Sequence, residues 1–174
     1  LEGFLFPDTY RIFRKATAAE LVKTLLANFD RKLTPELRQR IADRKKSTYE
    51  IVTMASIVER EVRGDGDRRM VADIFWRRLE IGMALQADST VNYATGKSLP
   101  SVTLEDTKNV SEYNTYKYPG LPLGPISNPG LSAIEAAISP EPNEYWYFLT
   151  DAAGTVHYGR NLDEHNQNKA KYLK

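Results

Sequence analysis

The fold is organised around a segment that reads STYEIVTMASIVEREVR, from Ser47 to Arg63. Ser47 and Glu50 form the capping-box pattern that starts a helix, and Gly64 follows at the other end. At 100° per residue one stripe of this helix is apolar, and it comprises Ile51, Met54, Ala55, Val58 and Val62. The opposite side carries Thr53, Ser56 and Arg60. The pattern therefore predicts an amphipathic helix with one face in the core and the other in solvent.

Two carboxylic acids, Glu59 and Glu61, border the apolar stripe of this helix on opposite edges. Burial against apolar groups raises the pKa of a glutamic acid, which keeps it protonated and able to donate a proton at neutral pH. Because the two residues are about 200° apart around the axis, they do not form the carboxylate pair of a conventional glycosidase. The helical pattern alone leaves two functions open for such a residue, proton donation and an ordinary ion pair with a neighbouring arginine. It also does not choose firmly between Glu61 and Glu59.

The rest of the chain predicts a single α+β domain over residues 1–174, dominated by helices. A short strand is expected at Thr9–Phe13, and a β-hairpin is expected from Tyr145–Thr150 and Thr155–Tyr158 around Asp151–Gly154. Further helices are predicted to begin at Thr17 and Thr34 and to span about Asp67–Ile81, Ser89–Ala94, Asn128–Ile138 and Asn161–Leu173.

A long segment rich in proline and glycine, from Gly96 to Pro129, follows the helix predicted at Ser89–Ala94. It holds five of the nine prolines of the chain. A loop of this length within one domain is usually functional or disordered, and its tyrosines (Tyr113, Tyr116, Tyr118) argue against disorder. We therefore expect an ordered, functional loop.

The composition excludes several classes of function. Lys and Arg number 24 and Asp and Glu number 23, so the net charge of +1 gives no reason to expect a nucleic-acid partner. The chain has no cysteine, which excludes disulfides and thiolate metal sites. No apolar run approaches the ~20 residues of a membrane span. No cluster of metal ligands and no phosphate-binding glycine loop stands out, so we predict neither a metal nor a cofactor.

Several motifs, in order along nearly the whole chain, resemble those of the MltG-type (YceG-like) endolytic murein transglycosylases. They are EGFLFPDTY (Glu2–Tyr10), MASIVERE (Met54–Glu61), Val71–Leu79 with IGMALQADSTV (Ile81–Val91), YNTY (Tyr113–Tyr116), GLPLGPISNPG (Gly120–Gly130), Tyr145–Leu149 and His165–Asn166. The resemblance implies that Glu61 is the catalytic residue. It also implies cleavage between N-acetylmuramic acid and N-acetylglucosamine within a glycan strand, leaving a 1,6-anhydro end.

The same resemblance implies a setting. The partners would be the glycan strands of peptidoglycan and, in addition, the synthases that polymerise them. Family members are expected to act at the extracytoplasmic face of the bacterial inner membrane, in the periplasm. Their catalytic region follows a membrane anchor and a LysM-like module, so this chain would reach the membrane only through an anchor upstream of it.

Ten further residues are candidates for binding the substrate or supporting Glu61. Each has an ordinary structural alternative: Asp88 and Asn128 would also suit helix caps, Glu59 an ion pair, and the tyrosines the folding of a loop. The ten are Gln86, Asp88, Ser89, Asn114, Tyr116, Ser127, Asn128, Glu59, Glu2 and Tyr10.

Two other functions remain open at this point. A lysozyme-like hydrolase would need a second carboxylate to position water, and Asp88 is the candidate. A non-catalytic module that binds peptidoglycan or regulates a synthase would use the tyrosine-rich loop and the hairpin as its interface.

Overall fold

A computed structural model describes residues 1–97 and 101–173 and confirms a helix-dominated α+β fold. Across these residues seven helices, one single turn of 3-10 helix at Asp106–Lys108 and one two-stranded sheet are present. The elements are α1 (Ala18–Lys32), α2 (Pro35–Asp43), α3 (Thr48–Glu61), α4 (Asp65–Glu80), α5 (Asp88–Thr95), α6 (Leu131–Ile138), β1 (Tyr147–Thr150), β2 (Val156–Gly159) and α7 (Leu162–Tyr172).

Helix α3 is the central element of the core, and it is buried on nearly every side. Its apolar stripe packs as expected, but Thr53 and Ser56, which the helical pattern assigned to solvent, are also buried, whereas Arg60 is exposed. The prediction for Thr53 and Ser56 was therefore wrong. The reason lies in the later chain: the Ser56 hydroxyl accepts a hydrogen bond from the Ile126 backbone N–H at 3.0 Å and donates to the Thr53 carbonyl at 2.7 Å. A loop thus covers the face that an isolated helix would expose.

Helices α4 and α6 pack against α3 and complete the core. The indole N–H of Trp76 in α4 donates to the carbonyl of Ala137 in α6 at 3.0 Å. Fully buried side chains in this layer include Val71, Phe75 and Ile134. Burial of one such side chain contributes about 1.5–3 kcal/mol to the stability of the fold, so the contacts among α3, α4 and α6 stabilise the core.

The helix boundaries follow the capping signals closely. Thr17 and Ser47 make complete capping boxes at the starts of α1 and α3. Gly82 follows α4 with a φ of +71°, as a C-terminal glycine should. Two starts differ from the prediction: α4 begins two residues early, at Asp65, and α6 begins at Leu131 rather than at Asn128.

The N-terminal segment contains no strand, so the prediction for Thr9–Phe13 was wrong. Residues 1–16 cross the surface without pairing to a sheet, and Phe13 is 90% exposed. Side chains from two places hold the segment instead: Asn28 of α1 binds Asp8 and Tyr10, and Asn128 Oδ1 accepts hydrogen bonds from the backbone N–H groups of Gly3 at 2.9 Å and Leu5 at 3.0 Å. Asn128 therefore binds the N-terminal segment and does not cap α6, whose N-cap is Gly130.

The hairpin is present as predicted, with β1 antiparallel to β2 and Tyr147 opposite Gly159. Helix α7 packs against both strands. The guanidinium group of Arg78, only 4% exposed, joins the hairpin to the segment before α5: it donates to the carbonyl of Trp146 at 3.0 Å and to that of Leu85 at 2.7 Å. None of the helices in the described ranges is long and apolar enough to cross a membrane.

Candidate active site

Glu61 is the last residue of α3, and its carboxyl group faces the first turn of α5. Oε1 accepts a hydrogen bond from the hydroxyl of Ser89 at 2.6 Å and a second from the Ser89 backbone N–H at 3.3 Å. Ser89 is the second residue of α5, so its N–H is one of those that a helix leaves unpaired at its N-terminus. Both hydrogen bonds described for the carboxyl group fall on Oε1, and Oε2 is left for another partner.

The surroundings of Glu61 favour the neutral acid. Burial, more than any other cause, raises the pKa of the Glu61 carboxyl group, and the negative charge of Asp88 acts in the same direction. The Ser89 bonds and the charge of Arg60 lower this pKa but do not cancel the effect of burial. The side chain is still partly exposed although protein atoms crowd its carboxyl group. The pKa of Glu61 therefore lies above its ordinary value, and the side chain remains accessible to a ligand.

Asp88 and Tyr116 form a second polar pair next to Glu61. The Tyr116 hydroxyl donates a short hydrogen bond to Asp88 Oδ1, and the Val102 backbone N–H donates to Asp88 Oδ2 at 3.2 Å. Burial and the charges of Asp88 and Glu61 raise the pKa of Tyr116 far above its ordinary value, which keeps its hydroxyl a donor. Asp88 does not cap α5, because Ala87 occupies that position.

A cleft of about 270 Å³ opens beside Ser89. The residues that line it are Glu2, Arg60, Ser89, Asn92, Tyr93, Gly96, Lys97 and Ile126. Tyr93 donates from its hydroxyl to Glu2 at 3.0 Å, and its ring contacts Tyr113 with 4.8 Å between centroids. An acid at the edge of a polar cleft with an aromatic wall is an arrangement suited to a carbohydrate.

A second cavity of about 330 Å³ lies elsewhere, against α1. Its lining residues are Tyr10, Lys23, Thr24, Ala27, Asn28 and Arg31, which include no carboxylic acid. Tyr10 donates to the Phe6 carbonyl at 2.6 Å and accepts from the Asn28 amide at 2.8 Å, so its polar contacts join the N-terminal segment to α1. The structure thus brings Glu2 to the cleft near Glu61 and leaves Tyr10 away from it.

Glu59 has an entirely different environment from Glu61. Its carboxylate binds Arg68 at 2.9 Å and accepts the Gly130 backbone N–H at 3.1 Å. Gly130 is the N-cap of α6, so Glu59 connects α3 to the start of α6 and to α4. These contacts support the ion-pair alternative for Glu59.

Three of the loop candidates make their contacts within the protein. Asn114 is fully buried, and its amide donates to the carbonyls of Thr107 at 2.9 Å and Asn109 at 2.8 Å. Ser127 donates to the Ser56 carbonyl at 3.0 Å, and Asn128 binds the N-terminal segment as described above. Ser127 thus joins the long loop to α3, Asn128 joins it to the N-terminal segment, and the fully buried Asn114 amide holds the loop together from within and has no surface left for a ligand.

Gln86 is exposed and sits at a φ of +53°, directly before the start of α5. Its backbone N–H donates to the Thr115 carbonyl at 3.1 Å, while no contact of its side chain with Glu61 is present in the described structure. Its expected part in orienting Glu61 therefore gains no geometric support.

Sequence reasoning missed three residues of this region: Arg60, Tyr93 and Arg78. Tyr93 follows Ser89 by four residues, so the helical period places both on one face of α5. Arg78 lies on the buried stripe of α4, three residues after Phe75, where a charged residue is unusual. Both signals were present in the sequence.

Among the described residues, no group of three histidine or acidic side chains is arranged to hold a metal ion.

Comparison with known proteins identifies close similarity over the whole chain. The model of the YceG-like family matches residues 1–171. The endolytic murein transglycosylase of Bacillus subtilis is 39% identical over 173 residues, which cover 99% of this chain and 48% of that protein. The protein of the same name from Streptococcus pneumoniae strain D39 is 36% identical over 179 residues, which cover 99% of this chain and 32% of that protein.

Among solved structures, a 2.6 Å crystal structure of a yceG-like protein from Listeria monocytogenes superposes with a TM-score of 0.89 at 39% identity. The match covers 95% of this chain and 54% of that chain. This chain therefore spans about half, or less, of the length of the relatives that it matches.

Proposed function

This chain belongs to the YceG-like family, and on that premise we propose that it is an endolytic lytic transglycosylase that cleaves peptidoglycan strands with Glu61 as acid and base. Two relatives that it resembles over 99% of its length carry the name endolytic murein transglycosylase. The observation that carries the residue assignment is the carboxyl group of Glu61. Burial raises its pKa, its hydrogen bonds among the described residues fall on Oε1, and its partner Ser89 lines a cleft.

The proposed reaction uses one carboxyl group twice. Oε2 donates its proton to the glycosidic oxygen between N-acetylmuramic acid and N-acetylglucosamine, and the bond from that oxygen to the muramyl C1 breaks. The carboxylate then removes the proton of the C6 hydroxyl, whose oxygen bonds to C1. The products are a 1,6-anhydromuramyl end and a free 4-hydroxyl on the next sugar, and no water is consumed.

Ser89 supports both stages of this sequence. Its hydroxyl and its backbone N–H donate to Oε1, so they stabilise the carboxylate that exists between the two proton transfers. The N-terminus of α5 adds the favourable end of the helix dipole. Burial alone would disfavour the carboxylate that forms when Glu61 gives up its proton, and the Ser89 donors lower that cost.

A hydrolase on the same strands would need a carboxylate to activate water. Asp88 is the nearest second carboxylate, but Tyr116 and Val102 already donate to its two oxygens. This arrangement supports the transglycosylase over the hydrolase.

We further propose that the protein works outside the cytoplasmic membrane, where its proposed substrate lies and where peptidoglycan synthases supply new strands.

The test is the chemistry of the products. We would incubate the protein and its Glu61→Gln variant with uncrosslinked glycan strands and analyse the new ends by mass spectrometry. We expect ends one water lighter than hydrolysis products, and a rate about 10²–10⁴-fold lower in the variant. Reducing ends would indicate a hydrolase, and binding without cleavage by the parent protein would indicate a non-catalytic module.

A further inference from the structure

We propose that Arg60 binds a carboxylate carried by the glycan strand, so that the enzyme selects strands whose muramyl residues present an anionic group next to the bond that is cut. The proposal rests on the function proposed above for the identity of the substrate. It adds a binding site and a source of specificity that the acid–base chemistry of Glu61 does not require.

The first observation concerns the side-chain contacts of Arg60. Its side chain is exposed, and no hydrogen bond or ion pair to it occurs among the described residues. Two arginines of the neighbouring helix α4 differ: Arg68 binds Glu59 at 2.9 Å and Arg77 binds Asp73 at 2.8 Å. A guanidinium group offers five donors in a planar fork that suits a carboxylate.

The second observation is the position of Arg60. It precedes Glu61 on α3, lines the same cleft as Ser89, and is close enough for its charge to influence the Glu61 carboxyl group. A strand whose scissile oxygen meets Glu61 therefore places its nearest substituents within reach of Arg60. An exposed arginine elsewhere on the surface would have no such relation to the reacting bond.

The third observation is the distribution of charge in the cleft. Lys97 also lines it, but Asp106 binds the Lys97 ammonium group at 2.6 Å and neutralises it. Glu2 lies on the side of the cleft where Tyr93 donates to it. Of the cations that line the cleft, only Arg60 is without an acidic partner in the described residues, and Glu2 is the one acidic residue in the lining and repels an anion from its own position. An anionic substituent is thereby directed to one place.

The chemistry of the strand supplies the ligand. Each muramyl residue carries a lactyl ether, which ends either in a free carboxylate or in an amide to a peptide with carboxylates of its own. N-acetylglucosamine carries no acidic group. Bidentate arginine–carboxylate pairing would therefore distinguish the two sugars and fix the register of the strand against Glu61.

The experiment measures kcat/KM on three uncrosslinked substrates. The first is strands with intact peptides, and the second is strands stripped of peptide so that the lactyl carboxylates are free. The third is intact strands whose carboxylates have all been converted to methylamides. The variants are Arg60→Gln and, as a matched control, Arg63→Gln, which removes an exposed arginine outside the cleft. Glu2→Gln removes the opposing charge.

We expect the parent protein to prefer at least one carboxylate-bearing strand over the methylamide strand by about 5–30-fold. Arg60→Gln should lose that preference, Arg63→Gln should keep it, and Glu2→Gln should keep or increase it. The comparison of peptide-bearing with stripped strands shows which carboxylate is bound. Equal losses for Arg60→Gln on all three substrates, or no preference in the parent, would overturn the proposal.

A binding measurement separates this proposal from the proposed reaction. In the inactive Glu61→Gln background, calorimetry should show tighter binding of the preferred carboxylate strand than of the methylamide strand, and the further change Arg60→Gln should abolish the difference. This result would support the Arg60 site even if the products proved to be reducing ends. Anhydro products with equal binding of all strands would refute the Arg60 site alone.

Discussion

The hydroxyl oxygen of Ser89 lies 2.6 Å from Oε1 of Glu61, and this bond joins the end of α3 to the beginning of α5. The acid and its hydrogen-bond donors thus come from two helices, at residues 28 positions apart. Because the hydroxyl can donate to Oε1 whether or not Oε2 carries a proton, the bond fixes the orientation of the carboxyl group through a complete catalytic cycle.

Removal of this hydroxyl should slow the reaction and shift its pH dependence. Ser89→Ala deletes a donor that lowers the pKa of Glu61, so we expect the pKa to rise and the carboxylate to become harder to form. A hydrogen bond to a charged group contributes about 1.5–3 kcal/mol, which corresponds to a fall in kcat of roughly 10–100-fold. In a kcat–pH profile the limb assigned to Glu61 should move to higher pH. Ser89→Thr, which keeps the hydroxyl, should restore both values, and an unmoved limb in Ser89→Ala would contradict the assigned role.

Neutralising Glu61 should stabilise the fold at neutral and alkaline pH. Its pKa is raised in the folded state, so the folded protein binds more protons than the unfolded chain between the ordinary and the raised pKa. Stability therefore falls as pH rises through that window, and the cost remains at higher pH. Glu61→Gln removes this cost, and each kcal/mol gained raises the Tm of a chain of this size by about 2–4 °C. Thermal unfolding at pH 4 and pH 8 should show a larger gain at pH 8, whereas equal gains would indicate an unperturbed pKa.

Glu59 should matter for stability and little for cleavage. Glu59→Gln breaks the ion pair with Arg68 and weakens the bond to the N-cap of α6. We expect the free energy of unfolding in urea to fall by about 1–3 kcal/mol. Measured under conditions where the variant is folded, cleavage should stay within a few-fold of the parent. A loss as large as that of Glu61→Gln would move the catalytic acid to Glu59.

Gly3 should tolerate no side chain. Its φ is +91°, and a Cβ atom there would lie 2.5 Å from Pro125 Cγ and 2.8 Å from Val52 Cγ1. Gly3→Ala should therefore destabilise the protein by about 2–5 kcal/mol, from backbone strain and from overpacking together. Gly66→Ala is the matched control, because no atom lies within 4 Å of its Cβ position. Similar urea midpoints for the two variants would refute the close packing described at Gly3.

Local signals sufficed for much of the fold. Caps and apolar spacing predicted the helices, because both depend on neighbours within one or two turns, and the hairpin followed from two short runs around Asp151–Gly154. The strand predicted at Thr9–Phe13 failed because alternation does not provide a partner strand. Ser56 was misplaced because the donor that satisfies it, the Ile126 N–H, lies 70 residues away.

In the candidate site, too, local sequence signals predicted some features and contacts distant in sequence determined the others. Motif resemblance selected Glu61, and the helical period placed it at the edge of a buried face. No local pattern could reveal that Ser89 would bind Glu61, or that Tyr116 and Val102 would occupy the oxygens of Asp88, because these bonds span 14 to 28 residues. Tyr93 and Arg60 belong to the site because both line the same cleft. The sequence does not reveal that cleft, because it forms only when α3 and α5 pack together.

The bond from Gly3 to Asn128 has a consequence for the order of events during synthesis. The two residues are 125 positions apart, so at 5–20 residues per second the N-terminal segment emerges roughly 6–25 s before its anchor exists. During that interval Phe4 can already pack against Phe29 and Tyr49, which are made well before Asn128, but the backbone N–H groups of Gly3 and Leu5 lack their acceptor. The segment that carries Gly3 and Leu5 therefore completes its native hydrogen bonds only after most of the domain has emerged.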